Sequence, residues 1–127
     1  MTAPTWIEAV VREFGKAAGF SNLALNERGA AAISFENGTS LRLEYAFDSL
    51  VVALTLPVRL DPATAARILS YAHPKARYGF KLRTGYIAKS GRAILVARLA
   101  DREVTLPALN SIFSVLWRIG QEIGGAA

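Results

Sequence analysis

The chain has 127 residues, no cysteine and one histidine, and 15 Lys and Arg against 10 Asp and Glu leave it a formal net charge of +5. A chain of this length is expected to form one domain, here residues 1–127, with a core that removes roughly two-thirds of the unfolded surface from water. The absence of cysteine excludes a disulfide framework, a thiolate metal site and a thiol nucleophile, and it suits a reducing cytoplasm.

The opening stretch MTAPTWIEAVVREFG is broken by Glu8, Arg12 and Glu13, so it lacks the apolar run of a secretory leader and reads as a helix instead. Pro4 suits a first turn, and Thr5 and Glu8 have the spacing of a capping box, which places the start near residues 4–6. Ile7, Val10, Val11, Phe14 and Ala18 recur at three- and four-residue intervals, with Glu8, Arg12 and Lys16 on the wet side, and Gly19 supplies the stop. Four strands are then predicted over residues 22–26, 30–35, 40–47 and 50–56, with Asn37-Gly38 as the strongest two-residue hairpin signal. In the third strand Leu41, Leu43, Tyr45 and Phe47 alternate with Arg42 and Glu44, the pattern of an antiparallel sheet that is wet on one side. The longest apolar run, residues 50–58 with Thr55 inside, is about half of the ~20 residues a membrane helix needs, so a soluble protein without membrane insertion is expected.

Asp61 followed by Pro62 reads as an N-cap and first helical position, with Ala65, Ile68, Leu69 and Ala72 on one face until Pro74 ends the helix. A hairpin follows. Tyr78, Phe80, Leu82 and Tyr86 share one face of its first strand, Lys89-Ser90-Gly91 turns, and residues 92–99 return. That returning strand is apolar on both faces, Ala93, Leu95, Ala97 and Leu99 opposing Ile94 and Val96, and should be covered twice. A closing helix over about residues 106–123 spans roughly 27 Å, with Leu106, Leu109, Ile112, Phe113, Leu116, Ile119 and Ile123 as its apolar stripe. The order helix, antiparallel strand meander, helix, β-hairpin, helix defines an α+β fold.

The positive charge is regional. Residues 62–100 hold eight bases (Arg67, Lys75, Arg77, Lys81, Arg83, Lys89, Arg92, Arg98) and no acid, whereas the segments on either side are slightly acidic. Such a block attracts nucleic acid, anionic lipid or an acidic protein, and charge alone does not choose among them. Catalytic chemistry is poorly provided for. His73, Ser70 and Asp61 lie on one predicted helix, but Asp61 and His73 are at its opposite ends, roughly 18 Å apart, too far for a triad. No pair of carboxylates falls on an apolar face, and no metal-ligand spacing is present, so no enzyme activity, metal or cofactor is expected. The segment KARYGFKLRTGYIAKSGR interleaves bases with aromatics, yet strand parity sends Tyr78, Phe80 and Tyr86 one way and Lys81 and Arg83 the other. Stacking bases while holding their phosphates needs both sets on one side, so specific nucleic-acid binding is not expected.

The run EFGKAAGFSNLALNERGAAAISFENGTSLRLEY resembles the N-terminal third of the class I type III secretion chaperones, the CesT-like (Tir chaperone) family. The shared pattern is a helix ending in Gly19-Phe20, a short Leu23-x-Leu25 strand, a turn with Glu27 and Gly29, and an apolar strand ending in Phe35. It continues through the glycine-flanked YGFKLRTGYI strand to a closing amphipathic helix with Phe113 and Trp117. The resemblance implies a small cytoplasmic dimer without ATPase activity that wraps the N-terminal region of a secreted effector or gatekeeper protein in extended form and keeps it fit for export. Most members are strongly acidic, whereas this chain has a sequence pI of about 10.0. Basic members resemble the subgroup that pairs with a second, different chaperone, which implies a heterodimer or an acidic cargo.

A chain with few reactive groups, a two-sided apolar strand and a sheet edge suits strand addition and groove binding of an extended peptide. Candidate cargo-binding residues are Trp6, Leu23, Leu25, Val51 and Ala53; candidate dimer-interface residues are Ile68, Leu69, Tyr71, Tyr86 and Leu95. A regulatory or adaptor protein of the same fold, acting through protein or nucleic acid, is the alternative reading.

Overall fold

The first helix, α1 (Thr5–Ala18), forms where the apolar spacing predicts it and buries Ile7, Val11 and Phe14. Its N-cap is Pro4, and no side chain caps the first turn, so Thr5 and Glu8 do not form the expected box. Gly19 closes the helix in the left-handed region at φ 89°, and the N–H of Phe20 donates back to the carbonyl of Gly15 at 2.6 Å. This is a Schellman closure, which turns the chain sharply off the helix end. The computed structural model describes residues 2–20, 22–59, 61–71 and 80–124.

Residues 22–26, predicted as a strand, belong to no sheet; they run along the protein as a non-strand segment that sinks Leu23 and Leu25 into the core. The strands that do form are β1 (Ala30–Ser34), β2 (Ser40–Ala46), β3 (Ser49–Pro57), β4 (Leu82–Ile87) and β5 (Arg92–Ala100). They make one antiparallel sheet in the order β1-β2-β3-β5-β4, with β1 and β4 as its edges. Between β3 and β4 lies α2 (Pro62–Tyr71), started as predicted by Asp61, whose Oδ1 accepts the N–H of Thr64 at 2.8 Å. That bond and its neighbours hold the Asp61 carboxyl below the usual carboxylate range. A short 3-10 turn (Asp101–Glu103) leads into α3 (Leu106–Ile123), capped by the Thr105 hydroxyl oxygen, which accepts the N–H of Ala108 at 3.1 Å. His73, Pro74 and Tyr78 lie outside the described residues, as does Ala72.

Strand alternation decides which side of the sheet is covered. Leu41, Leu43 and Tyr45 on β2, Leu50, Val52, Leu54 and Leu56 on β3, and Ala93, Leu95, Ala97 and Leu99 on β5 all point to one face and are buried. On that face α3 crosses β3 and β5, α1 packs against α3, and α2 packs against β4 and α3. One continuous cluster results. Its border beyond β1 is aromatic: Phe14 and Phe20 meet Phe113 edge-on at 5.7 and 5.9 Å, and Phe35 meets Trp117 at 5.0 Å. The closing helix is as predicted, and Gly120 lets it approach the sheet, since a Cβ there would lie 3.1 Å from Leu54.

Two turns depart from the sequence reading. The β1–β2 connection is longer than two residues: Ser34 pairs with Ser40, the N–H of Phe35 donates to the Thr39 carbonyl at 2.8 Å, and Asn37 Oδ1 accepts the Thr39 N–H at 3.0 Å. The true two-residue hairpin is Phe47-Asp48, since Ala46 pairs with Ser49. Both residues are left-handed, at φ 52° and 57°, and Phe47 is not part of the apolar row of β2 but stands 81% exposed at the tip. A primed turn fits the right-handed twist of the strands, but it is unfavourable for a residue with a Cβ and particularly for a bulky one. Replacing Phe47-Asp48 by Asn-Gly is therefore expected to stabilise the protein by about 1 kcal/mol, raising the thermal midpoint by roughly 3–5 °C. Thermal denaturation followed by circular dichroism checks this.

Candidate functional site

Among the described residues, the opposite face of the sheet has no helix on it. Antiparallel register places its residues in rows that cross the strands. One row runs Ala32, Arg42, Ala53, Val96, Arg83; the next runs Ala30, Glu44, Val51, Arg98. Thr55, Ile94 and Gly85 continue the apolar centre toward the other end. Val51, Ala53, Ile94 and Val96 are half-buried, with the side chains of Arg42, Arg83 and Arg98 beside them in the same rows. The expectation that β5 is covered on both faces is thus met on one face only by this chain itself.

The charges around this apolar centre are unevenly matched. Arg42 Nε lies 3.7 Å from Glu44 Oε2, and both are solvent-exposed. Arg92 is held internally: its guanidinium donates to the Gly38 carbonyl and to the Thr55 carbonyl and hydroxyl oxygen, the latter two at 3.1 Å, tying the β1–β2 hairpin to β3. Lys81, Arg83 and Arg98 border a depression of about 230 Å³ floored by Val51 and Val96. Around the hairpin tip the charge is reversed. There the Tyr45 hydroxyl is held above its ordinary range by burial and then by the nearby Asp101 and Asp48 carboxylates.

The structure separates the five residues expected to bind cargo. Val51 and Ala53 lie on the uncovered face. Trp6 is 48% exposed but stands on the outside of α1, on the helical side of the sheet. Leu23 and Leu25 are buried and already belong to this chain's own core. Beside them a depression of about 360 Å³ lies along the free edge of β1, lined by Gly19, Phe20, Leu23, Ala31 and Ile33.

The dimer candidates divide in the same way. Ile68 and Leu95 are buried in the core, so neither offers surface to a partner. Tyr86 lies on the covered face opposite Ala93 and is half-buried. The Tyr71 hydroxyl donates to the Glu122 carboxylate of α3, fastening α2 to the same chain. Leu69, next to Ile68 on α2, is 70% exposed and so does offer apolar surface. Among the described residues no group of three His, Asp or Glu side chains could hold a metal ion, and no helix is long and apolar enough to cross a membrane. Ser70 and Asp61, drawn into the triad considered from sequence, have backbone roles, Ser70 Oγ donating to the Arg67 carbonyl at 2.7 Å. What the sequence reading missed was the pairing of Val51 with Arg98 between strands far apart in the chain and the seating of Arg83 opposite Val96 within the expected hairpin; its traces were the two-sided apolarity of residues 92–99 and the choice of Val51 and Ala53.

A family model described as "Type III secretory system chaperone SycN" matches residues 6–124. No curated protein matches the chain in sequence. Among solved structures, the ExsC–ExsE complex contains a chain that superposes with a TM-score of 0.75 at 19% identity, covering 100% of this chain and 99% of that one. The Yersinia pestis type III secretion chaperone SycH, solved with a fragment of YscM2, gives 0.66 at 16% identity over 89% of this chain and 96% of that one. YbjN, a putative transcription regulator from E. coli, gives 0.54 at 11% identity over 91% and 86%. At these identities the likeness shows the fold, α+β with helix, antiparallel meander, helix, hairpin and helix.

The geometry beside the β1 edge depends on Gly15. A Cβ at this position would lie 2.7 Å from the Phe20 carbonyl oxygen and 2.8 Å from Leu23 Cβ. Gly15→Ala is expected to cost about 1–3 kcal/mol through overpacking, read as a lower denaturant midpoint with an unchanged slope.

Proposed function

Given that the chain belongs to the type III secretory system chaperone SycN family, we propose that it binds an extended segment from the N-terminal region of a secreted protein in the cytoplasm and keeps that protein competent for export. The observation that carries this reading is an apolar sheet face on which no described helix lies, in a sheet whose edge strands are β1 and β4. A sheet edge offers main-chain donors and acceptors to an added strand, while pockets beside it select alternate side chains. Ordering such a segment costs roughly 2–5 kcal/mol, so the contact must be extensive. Val51 and Ala53 serve the uncovered face, the depression by Phe20 and Ile33 serves the β1 edge, and Trp6 contributes from α1. The role is one of binding, without catalysis.

The likeness to ExsC and SycH supports the reading at the level of fold, and both were solved with a protein partner. A CesT-like affiliation and assembly as a homodimer or as a heterodimer with a second chaperone belong to the same proposal. With Ile68 and Leu95 used internally, the subunit contact falls to exposed Leu69 on α2, with Tyr71 and Tyr86 at its margin. The regulatory alternative draws on the likeness to YbjN. The position of the bases disfavours its nucleic-acid form: Tyr86 is on the covered face, so no described aromatic shares the outer face with Arg83 and Arg98.

Affinity capture from a type III secretion-competent bacterial lysate is expected to retain a secreted protein; retention of none contradicts the proposal. In calorimetry on the captured pair, Trp6→Ala is expected to weaken binding by more than ~2 kcal/mol and Arg12→Ala by much less, because buried aromatic anchors outweigh rim charges. Unchanged affinity in a folded Trp6→Ala protein removes α1 from the contact. Light scattering at micromolar concentration is expected to give a dimer mass, and a monomer leaves only the heterodimeric form.

A further inference from the structure

The depression on the uncovered face has a charge that no group among the described residues answers. Lys81, Arg83 and Arg98 surround its aliphatic floor of Val51 and Val96, and among the described residues the ion pair on this face is Arg42 with Glu44. Register makes Arg83 and Arg98 diagonal neighbours: Arg83 pairs with Val96, and Arg98 is two residues further along β5. Diagonal neighbours in a sheet are about 7–8 Å apart. Side chains two residues apart on an extended peptide are separated by roughly 6.6–6.8 Å on the same side. Two carboxylates in that relation can therefore meet the two guanidinium groups together, and a residue two further along on the same side reaches the aliphatic floor.

We infer that this depression selects an acid-x-acid-x-apolar stretch of an extended partner segment. The inference rests on the chaperone reading and adds the chemistry by which one part of the cargo is recognised. Among the described residues the outer face carries no aromatic ring, so a nucleic acid would find phosphate contacts without a stacking platform. A second copy of this chain would bring the same cations to the same place, with Glu44 already engaged. An acidic segment answers both the charge and the aliphatic floor, and Arg offers the carboxylate a planar two-pronged donor.

The test is calorimetry on the full chain at ~0.15 M salt with four probes: a 12-residue peptide containing Glu-Thr-Glu-Thr-Leu, a peptide of the same composition with the two Glu adjacent, the first peptide with Lys for Glu, and oligo(U) RNA. The first is expected to bind about tenfold more tightly than the second, as two well-placed ion pairs allow, with no measurable binding of the third. Arg83→Glu with Arg98→Glu is expected to abolish the preference while circular dichroism stays that of the wild type. Equal binding of the first two peptides, a preference that survives in a folded Arg83→Glu, Arg98→Glu protein, or RNA binding tighter than any peptide overturns the inference. If the double variant fails to fold, Arg83→Gln with Arg98→Gln carries the same comparison. Capture of a secreted protein by a charge-reversed chain, with no peptide preference in the wild type, sinks this inference and leaves the chaperone reading standing. Peptide selection by a chain that captures no secreted protein does the reverse.

Discussion

The structure depends on α3 lying across β3 and β5. Leu109, Ile112, Leu116, Ile119 and Ile123 form the helix's buried stripe, and they meet the alternate residues of two long central strands. Each fully buried Leu or Ile contributes roughly 1.5–3 kcal/mol from leaving water. Once the longest helix is committed to this face, α1 and α2 pack beside it, and the described residues hold no further helix for the other side. Everything functional in the account follows from that asymmetry. A face with apolar residues on central strands and no helix above it is a surface that association completes.

The electrostatics have the same origin. The bases of residues 62–100 looked in sequence like a continuous block, but folding disperses them: Arg92 is tied to backbone carbonyls, Arg67 donates to the Glu122 carbonyl at 3.3 Å, and Arg83 and Arg98 converge with Lys81 beside Val96. Among the described residues, the convergent set gathers three of these charges beside apolar surface. A chain more basic than its resemblance implies thus places part of that excess where an acidic partner would gain most, next to apolar surface. Association with such a partner should be faster at low salt, because the field of the rim acts before contact.

Much of the fold was legible in the sequence where one period acted alone. The stripe of α1, the alternation of β2 and the Asp61-Pro62 start of α2 each follow from local geometry, and the order of elements followed with them. Legibility failed where tertiary packing competes with local pattern. Leu23 and Leu25 alternate like a strand, yet the Schellman closure at Gly19 aims that segment into the core beside Gly15 instead of into the sheet. Leu41, Leu43, Tyr45 and Phe47 also alternate, but two residues were needed to turn into β3, and Phe47 was one of them. On α2, adjacent Ile68 and Leu69 cannot both face inward, and only contact with the rest of the fold selects Ile68. The site was legible as a strand apolar on both sides and in Val51 and Ala53; which side stayed open depends on where α3 lies, and the meeting of Val51 with Arg98 depends on the β3–β5 register, which no local window contains.

Methyl NMR on selectively labelled protein, titrated with a secreted protein captured as the proposal expects, tests the central claim most directly. Engagement of the uncovered face should shift the Val51, Ile94 and Val96 methyl signals strongly and leave those of Leu43, Leu54 and Leu95, on the helix-covered face, near their free positions. Shifts confined to the covered face or to the helices, with Val51, Ile94 and Val96 silent, would contradict the account.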